Sequence, residues 1–193
     1  HKTEQGWVMR EWAPNATDIF LIGNFSEWKE NTKYRFSKLK NGVCELKPKT
    51  GEIKHLDLYK LSMHWNGGHG ERIPAWATRV VQDEKTYIFS AQVWSPSRPY
   101  KFKKKKFKPQ ISPLLIYECH IGMAQEEERI GSYNEFREKI LPRIAKDGYN
   151  AIQIMAIQEH PYYGSFGYHV SSFFAPSSRF GTPDELKQLM LRA

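Results

Sequence analysis

The sequence of 193 residues has only two cysteines, no apolar run of membrane-spanning length and no initiating methionine. Cys44 and Cys119 stand far apart and outside any metal-ligand spacing, which argues against a zinc site and leaves two free, buried thiols in a reducing compartment as the expectation. No stretch approaches the roughly 20 apolar residues that span a bilayer, so a membrane protein is not expected. A chain that opens on His1 is expected to have lost its native N-terminus, and the lack of a signal peptide then carries little information. Helix-turn-helix, zinc-knuckle and RNA-recognition signatures are missing as well. The net charge of +8 would suit a nucleic-acid binder, but six of the lysines sit in one run, KFKKKKFK, at 101–108. A clustered run of this kind reads as a solvated linker rather than a polyanion site. No nucleic acid, metal or cofactor is expected.

Aromatic residues are plentiful at 14% of the chain, enough for a core with some left for binding surfaces. From residue 6 to about 95 they fall in short strands. GWVMREWAP alternates Trp7, Met9 and, less cleanly, Glu11 against Val8, Arg10 and Trp12. TDIFLIGNF, GVCELKPKTGE, HLDLYKLSM and KTYIFSAQVW follow, separated by Gly-, Pro- or Asn-bearing breaks. That spacing predicts an antiparallel β-sandwich. Residues 96–113, PSRPYKFKKKKFKPQISP, combine four prolines with the lysine run and read as an extended linker.

The pattern changes at 114. LLIYECHIG is a compact apolar strand, and AIQIMAI is a second. Between them Tyr133, Phe136, Ile140, Leu141 and Ile144 recur at helical spacing. Ser132 and Glu135 form a capping box ahead of them, Pro142 kinks or splits the helix, and Gly148 ends it. Strand, helix and strand with short connections predict a parallel βαβ unit. A last helix begins with Thr182 as N-cap and Pro183 at the first position. It carries Leu186, Leu189, Met190 and Ala193 on one face and, lacking a stop signal, reads as cut.

The segment from about 158 to 181 is long for a βα connection, and its aromatics argue for function over disorder. Glu159 and His160 are followed by Tyr162, Tyr163, Phe166 and Tyr168 at the sheet edge where α/β folds bind ligands. Flat aromatic faces beside an acid and a His suit a polyhydroxylated ring, since Tyr and Trp stack on the apolar face of a sugar while polar groups take its hydroxyls. Phe166, Phe173 and Phe174 are expected to pack the loop. Gly164 and Gly167 are expected to supply turns, and Tyr168 to face the ligand. Composition admits either catalysis or a purely structural role for Glu159 and His160, and favours the structural one.

AIQIMAIQEHPYYGSFGYHVSSFFAPSSRFGTPDEL resembles the second barrel strand and following loop of glycogen and starch branching enzymes, members of glycoside hydrolase family 13. PLLIYECHIGMA resembles their first barrel strand and SYNEFREKILPRIAKDGYN their first helix. REWAPNATDIFLIGNFSEWKE and RIPAWATRVVQDEKTYIFSAQVW are similar to the family-48 carbohydrate-binding module before the barrel. The resemblance implies a multidomain β plus α/β chain. Residues 1–95 would be a β-sandwich module, 96–113 a linker, and 114–193 the first two β/α units of a truncated (β/α)8 barrel, a fold that needs about 250 residues in all. It implies transfer of an α-1,4-glucan segment to a 6-hydroxyl by double displacement, in the cytosol or a plastid, with the catalytic carboxylates outside this chain and no activity from the chain alone. Tyr168 matches a family tyrosine that stacks on the sugar, Glu159 and His160 match a pair that shapes the site, and Trp28 matches a glucan-stacking tryptophan. A non-catalytic glucan-binding or scaffold protein could use the same residues. A debranching hydrolase shares the layout but fits MAIQEH and SFGYHV less well.

Overall fold

The computed structural model describes residues 1–102 and 113–193. Most of the lysine run and of the expected linker lies outside them. The chain divides into two compact units, one of His1–Pro96 with Ser172–Ala175, the other of Ser97–Ser171 with Pro176–Ala193.

The first unit is antiparallel throughout its strand pairs. A short hairpin, β1 (Lys2–Thr3) with β2 (Gly6–Trp7), leads into β3 (Met9–Trp12) and β4 (Ala16–Gly23). After them come β5 (Ser37–Lys38), β6 (Val43–Leu46), β7 (Leu58–Trp65), β8 (Gly68–Arg72), β9 (Val80–Gln82) and β10 (Phe89–Gln92). One sheet runs β4-β7-β10-β9 with β8 also on β7, and the other runs β3-β6-β5. The long β4–β7 pairing places Leu21 opposite Leu61 and Ile19 opposite Met63, all four buried. Cys44 and Leu46 of the smaller sheet join the same apolar cluster, so the two sheets share one core, as in a sandwich. In β3 the alternation resolves unexpectedly. Glu11 points into the unit at 2% exposure, and its neighbour Trp12 faces outward at 63%.

The second unit contains β11 (Ile116–Cys119) and β12 (Ala151–Ile154), paired in parallel with Ile116 opposite Ala151 and Cys119 opposite Ile154. The crossover carries the expected helix in three pieces: α1 (Tyr133–Glu135), a π-helical turn (Phe136–Ile140) and α2 (Leu141–Lys146). Ser132 and Glu135 make the reciprocal capping box. Pro142 has no N–H to give to the fourth residue before it, and the ladder widens just upstream, where the Leu141 N–H reaches back to the Phe136 carbonyl. Gly148, at φ +92°, closes the helix. The helix α3 (Pro183–Arg192) starts at a second capping box, with Thr182 and Glu185. Leu189 of α3 is fully buried with Tyr133, Phe136, Ile144 and Phe180. Met190 and Ala193, expected on that apolar face, are exposed instead, because Leu186 and Leu189 alone reach the core.

Both cysteines are free and buried, and burial pushes the Cys119 thiol up to about 11, as inert thiols require. β11 pairs with one neighbour among the described residues, and its apolar flank, Leu114 to Tyr117, is exposed at every position. The described residues form no closed barrel. No helix among them is long and apolar enough to cross a membrane.

Candidate functional site

Two surfaces carry exposed aromatic side chains in numbers that a core does not explain. The first is a cleft of about 810 Å³ in the antiparallel unit. Trp12 from β3, Trp65 from the end of β7, Trp76 and Phe174 supply its aromatic walls, and Pro14 and Met63 add apolar surface. Each aromatic has a local reason for its pose. The Trp12 indole donates to the Asn41 carbonyl at 3.1 Å. Gly42, at φ +75°, lets that loop come close, since a β-carbon there would meet Pro14 at 2.8 Å and Trp12 Nε1 at 3.3 Å. The Trp65 indole lies over Gly68, where a β-carbon would fall 3.0 Å from it. Trp76 stacks on Phe174, ring centroids 4.5 Å apart at 22°.

The polar equipment of the cleft is Glu11 and Arg72. Glu11 accepts hydrogen bonds from the Arg72 guanidinium and, at 3.3 Å, from the Ala75 N–H. One end of the guanidinium is thereby fixed while nearly half of the Arg72 side chain stays open to solvent. Apolar rings with one oriented donor suit a ligand that presents both C–H faces and hydroxyls.

The second surface is the loop that follows β12. Glu159 is wholly buried, and both of its oxygens are engaged. One accepts from the His160 N–H at 3.1 Å, Ser177 Oγ at 3.2 Å and Arg179 Nη1 at 3.2 Å. The other accepts from the Ser178 N–H at 2.7 Å and Ser178 Oγ at 2.8 Å. Arg179 also donates to the carbonyls of His160, at 2.6 Å, and Pro161, at 3.1 Å. The group folds residues 159–161 against 177–179. His160 is likewise buried, its Nδ1 3.0 Å from the Gln158 carbonyl. Tyr163 is packed between the His160 and Phe166 rings, and burial raises its phenol above the ordinary value. Tyr168 stands out at 68% exposure, with its hydroxyl near Met155 Sδ.

Of the residues singled out in the sequence, Glu159 and His160 thus lie inside the loop and Tyr168 on its surface. Trp28 belongs to the antiparallel unit but does not line the cleft. It is 38% exposed and follows Glu27 in the left-handed region (φ 51° and 58°), two successive non-glycine residues where such backbone is costly. Gly167, at φ +88°, supplies the expected turn. The expectation that Phe166, Phe173 and Phe174 pack the loop is met only in part: Phe166 packs on Tyr163 and His120 although 44% exposed, whereas Phe173 is 72% exposed and Phe174 stacks on Trp76. The apolar space beneath the loop is filled mainly by Phe180 and Tyr133. The cleft tryptophans were not anticipated as a site. The available signal was Trp12 at outward parity in β3 and Trp65 running into the small residues Gly67 and Gly68.

Residues 1–77, which include Trp12, Trp28, Trp65 and Trp76, match the family described as carbohydrate-binding module 48 (isoamylase N-terminal domain). The chain is 46% identical over 189 residues to the 1,4-alpha-glucan-branching enzyme of Rhizophagus irregularis, covering 95% of this chain and 27% of that protein. It is 43% identical over 198 residues to the 1,4-alpha-glucan-branching enzyme 2-2, chloroplastic/amyloplastic, of Arabidopsis thaliana, covering 100% of this chain and 24% of that one. The chain therefore spans about a quarter of the length of these relatives, and resembles them along nearly all of its own. Among solved structures, a pullulanase from Bacillus acidopullulyticus superposes with a TM-score of 0.77 at 18% identity, over 100% of this chain and 27% of that one, a likeness of fold.

Proposed function

We propose that this chain is the N-terminal, glucan-binding part of a 1,4-α-glucan branching enzyme. The observation that carries the reading is the cleft of Trp12, Trp65, Trp76 and Phe174, most of which falls within the residues that match carbohydrate-binding module 48. In this reading residues 1–95 bind α-1,4-glucan, 96–113 link, and 114–193 supply the first two β/α units of a catalytic barrel. The parallel β11–β12 pair with its helical crossover, the exposed apolar flank of β11 and the identity to branching enzymes support the barrel assignment.

The activity proposed is cleavage of an α-1,4 linkage and transfer of the freed segment to a 6-hydroxyl, forming an α-1,6 branch through a covalent glycosyl intermediate. No residue of this chain is assigned as nucleophile or acid. Glu159 has donors on both oxygens and no surface, which supports a positioning role for it and for His160. Tyr168 is assigned to stacking on the sugar ring, and Trp28 to a separate glucan contact. Two buried thiols support a reducing compartment, the cytosol or a plastid.

Affinity electrophoresis through gels with and without glycogen tests the reading. Trp12→Ala and Trp76→Ala should each weaken retardation about tenfold, the effect of losing roughly 1.4 kcal/mol of stacking. Trp28→Ala and Tyr168→Ala should give smaller losses. Unchanged retardation in both cleft variants would remove the cleft from the function.

A further inference from the structure

The Tyr168 loop has a second polar anchor, remote in sequence from the group around Glu159. His120, just beyond β11, is 6% exposed, and its Nε2 lies 3.0 Å from the Phe166 carbonyl. A carbonyl can only accept, so Nε2 carries the proton and donates. Nδ1 is then bare, and it has no hydrogen-bond partner among the described residues. The ring is enclosed edge-on by Phe180 at 5.5 Å, Phe166 at 6.2 Å and Tyr163 at 6.4 Å. Gly122 permits that closeness, since a β-carbon there would meet the Tyr163 hydroxyl at 2.6 Å and the Phe180 ring at 2.8 Å. Burial lowers the His120 pKa below its ordinary value, which keeps the ring neutral and a single donor.

The accepted carbonyl sits at a decisive point of the backbone. Phe166 has φ +52° and Gly167 φ +88°, two left-handed residues in succession immediately before Tyr168. Phe166 carries a β-carbon and resists that conformation, so something must hold it there. Its N–H is bonded to the Tyr163 carbonyl at 2.8 Å, and its carbonyl to His120. With both peptide groups fixed, the chain crosses Ala156 at Gly167 and Tyr168 emerges outward, its own N–H bonded to the Ser165 carbonyl at 3.0 Å.

We propose that His120 is the positioning residue for Tyr168, holding the left-handed Phe166–Gly167 turn through its Nε2–H so that the tyrosine ring is presented to the sugar. The last clause rests on the assignment of Tyr168 as a sugar-stacking residue, and the test separates the two. In the whole chain, His120→Phe keeps the ring shape and removes the donor, whereas His120→Gln keeps a donor at the position of Nε2. Amide hydrogen exchange at Gly167 and Tyr168 reads the turn, with Leu189 in α3 as the internal reference. His120→Phe should accelerate exchange at Gly167 and Tyr168 about fivefold, the loss of one net hydrogen bond. His120→Gln should restore it to within about twofold, and Leu189 should be unaffected in both. Unchanged exchange in the Phe variant, or equal acceleration in both variants together with Leu189, overturns the proposal, since the second pattern means that His120 only fills space. If exchange behaves as expected while Tyr168→Ala leaves glycogen affinity unchanged, His120 still positions the turn and the sugar-stacking assignment is what fails.

Discussion

The two aromatic surfaces are held up by different means. In the antiparallel unit Trp12 and Trp65 project from strands, and the register of the sheet aims them. In the other unit Tyr168 stands on a loop just after a short 3-10 turn (Tyr163–Ser165), aimed by polar groups packed beneath it: Glu159, Arg179 and His120. The contrast extends to the carboxylate that is buried in each unit among the described residues. Glu11 has a single donor on each oxygen, one of them from a half-exposed arginine, while Glu159 gathers five donors from His160, Ser177, Ser178 and Arg179. A sheet fixes a side chain through many weak backbone bonds, so losing one polar group costs little. A loop fixed by a few polar groups concentrates the risk in them, most of all in the carboxylate with the most donors.

The largest effect should come from removing that carboxylate. Glu159→Leu leaves the Ser177 and Ser178 hydroxyls, two backbone N–H groups and part of the Arg179 guanidinium without their acceptor. A loss of about 3–5 kcal/mol is expected in the unit that contains it, read by urea denaturation with hydrogen exchange at Ser171 and Ser178. Glu11→Leu should cost the antiparallel unit only about 1–2 kcal/mol, because Arg72 can turn to water. Equal losses at the two glutamates would break the comparison.

Gly167→Ala sharpens it with a smaller change. At φ +88° a β-carbon is strained, and it would fall 2.2 Å from the Ala156 carbonyl oxygen. About 2 kcal/mol should be lost, with faster exchange confined to residues near Tyr168. Gly67→Ala, also at positive φ but with nothing within 4 Å of the added carbon, should cost less, because backbone strain is then the whole penalty. A tolerated Gly167→Ala would mean that the turn is not fixed by close approach.

How much of this was legible in the sequence follows the same division. Alternation and turn residues marked β3, β4, β6, β7 and β10 but not β5, β8 or β9, which are short or carry no clean alternation; the Ser132–Glu135 capping box, the Thr182 N-cap and Pro142 marked the helices, because these signals act over a few residues. Glu11 shows where the local signal thins: a carboxylate at inward parity looks like an error in the pattern until Arg72, 61 residues away, supplies its partner. The aromatic stretch after β12 was readable as a site. Which of its rings would be exposed was not, since Phe166 and Phe180 look alike in composition and only tertiary packing buries one of them. His120 was invisible for the same reason, its acceptor lying 46 residues on.

The smallest effect separates the units by their response to acid. Arg129, followed by Ser132, holds the Glu135 carboxyl down at about 2 against an ordinary 4.5. A carboxyl depressed in the folded state contributes stability that is complete above the ordinary value and is lost as pH falls from about 4.5 toward about 2. Glu135→Gln keeps a side chain that can close the capping box, so stability at neutral pH should barely change while the acid-dependent part contributed by this residue disappears. In the antiparallel unit the depressed carboxyls are spread over Glu30, Glu45, Glu52 and Asp83, each held by nearby hydrogen bonds. No single substitution there should flatten the acid limb. Thermal unfolding followed at 222 nm between pH 6 and pH 2.5 reports mainly on the helices. A shallower pH dependence is expected for Glu135→Gln, and no change for Glu52→Gln. If the two variants titrate alike, the depressed Glu135 is not coupled to helix stability, and the capping box does its work through hydrogen-bond geometry rather than charge.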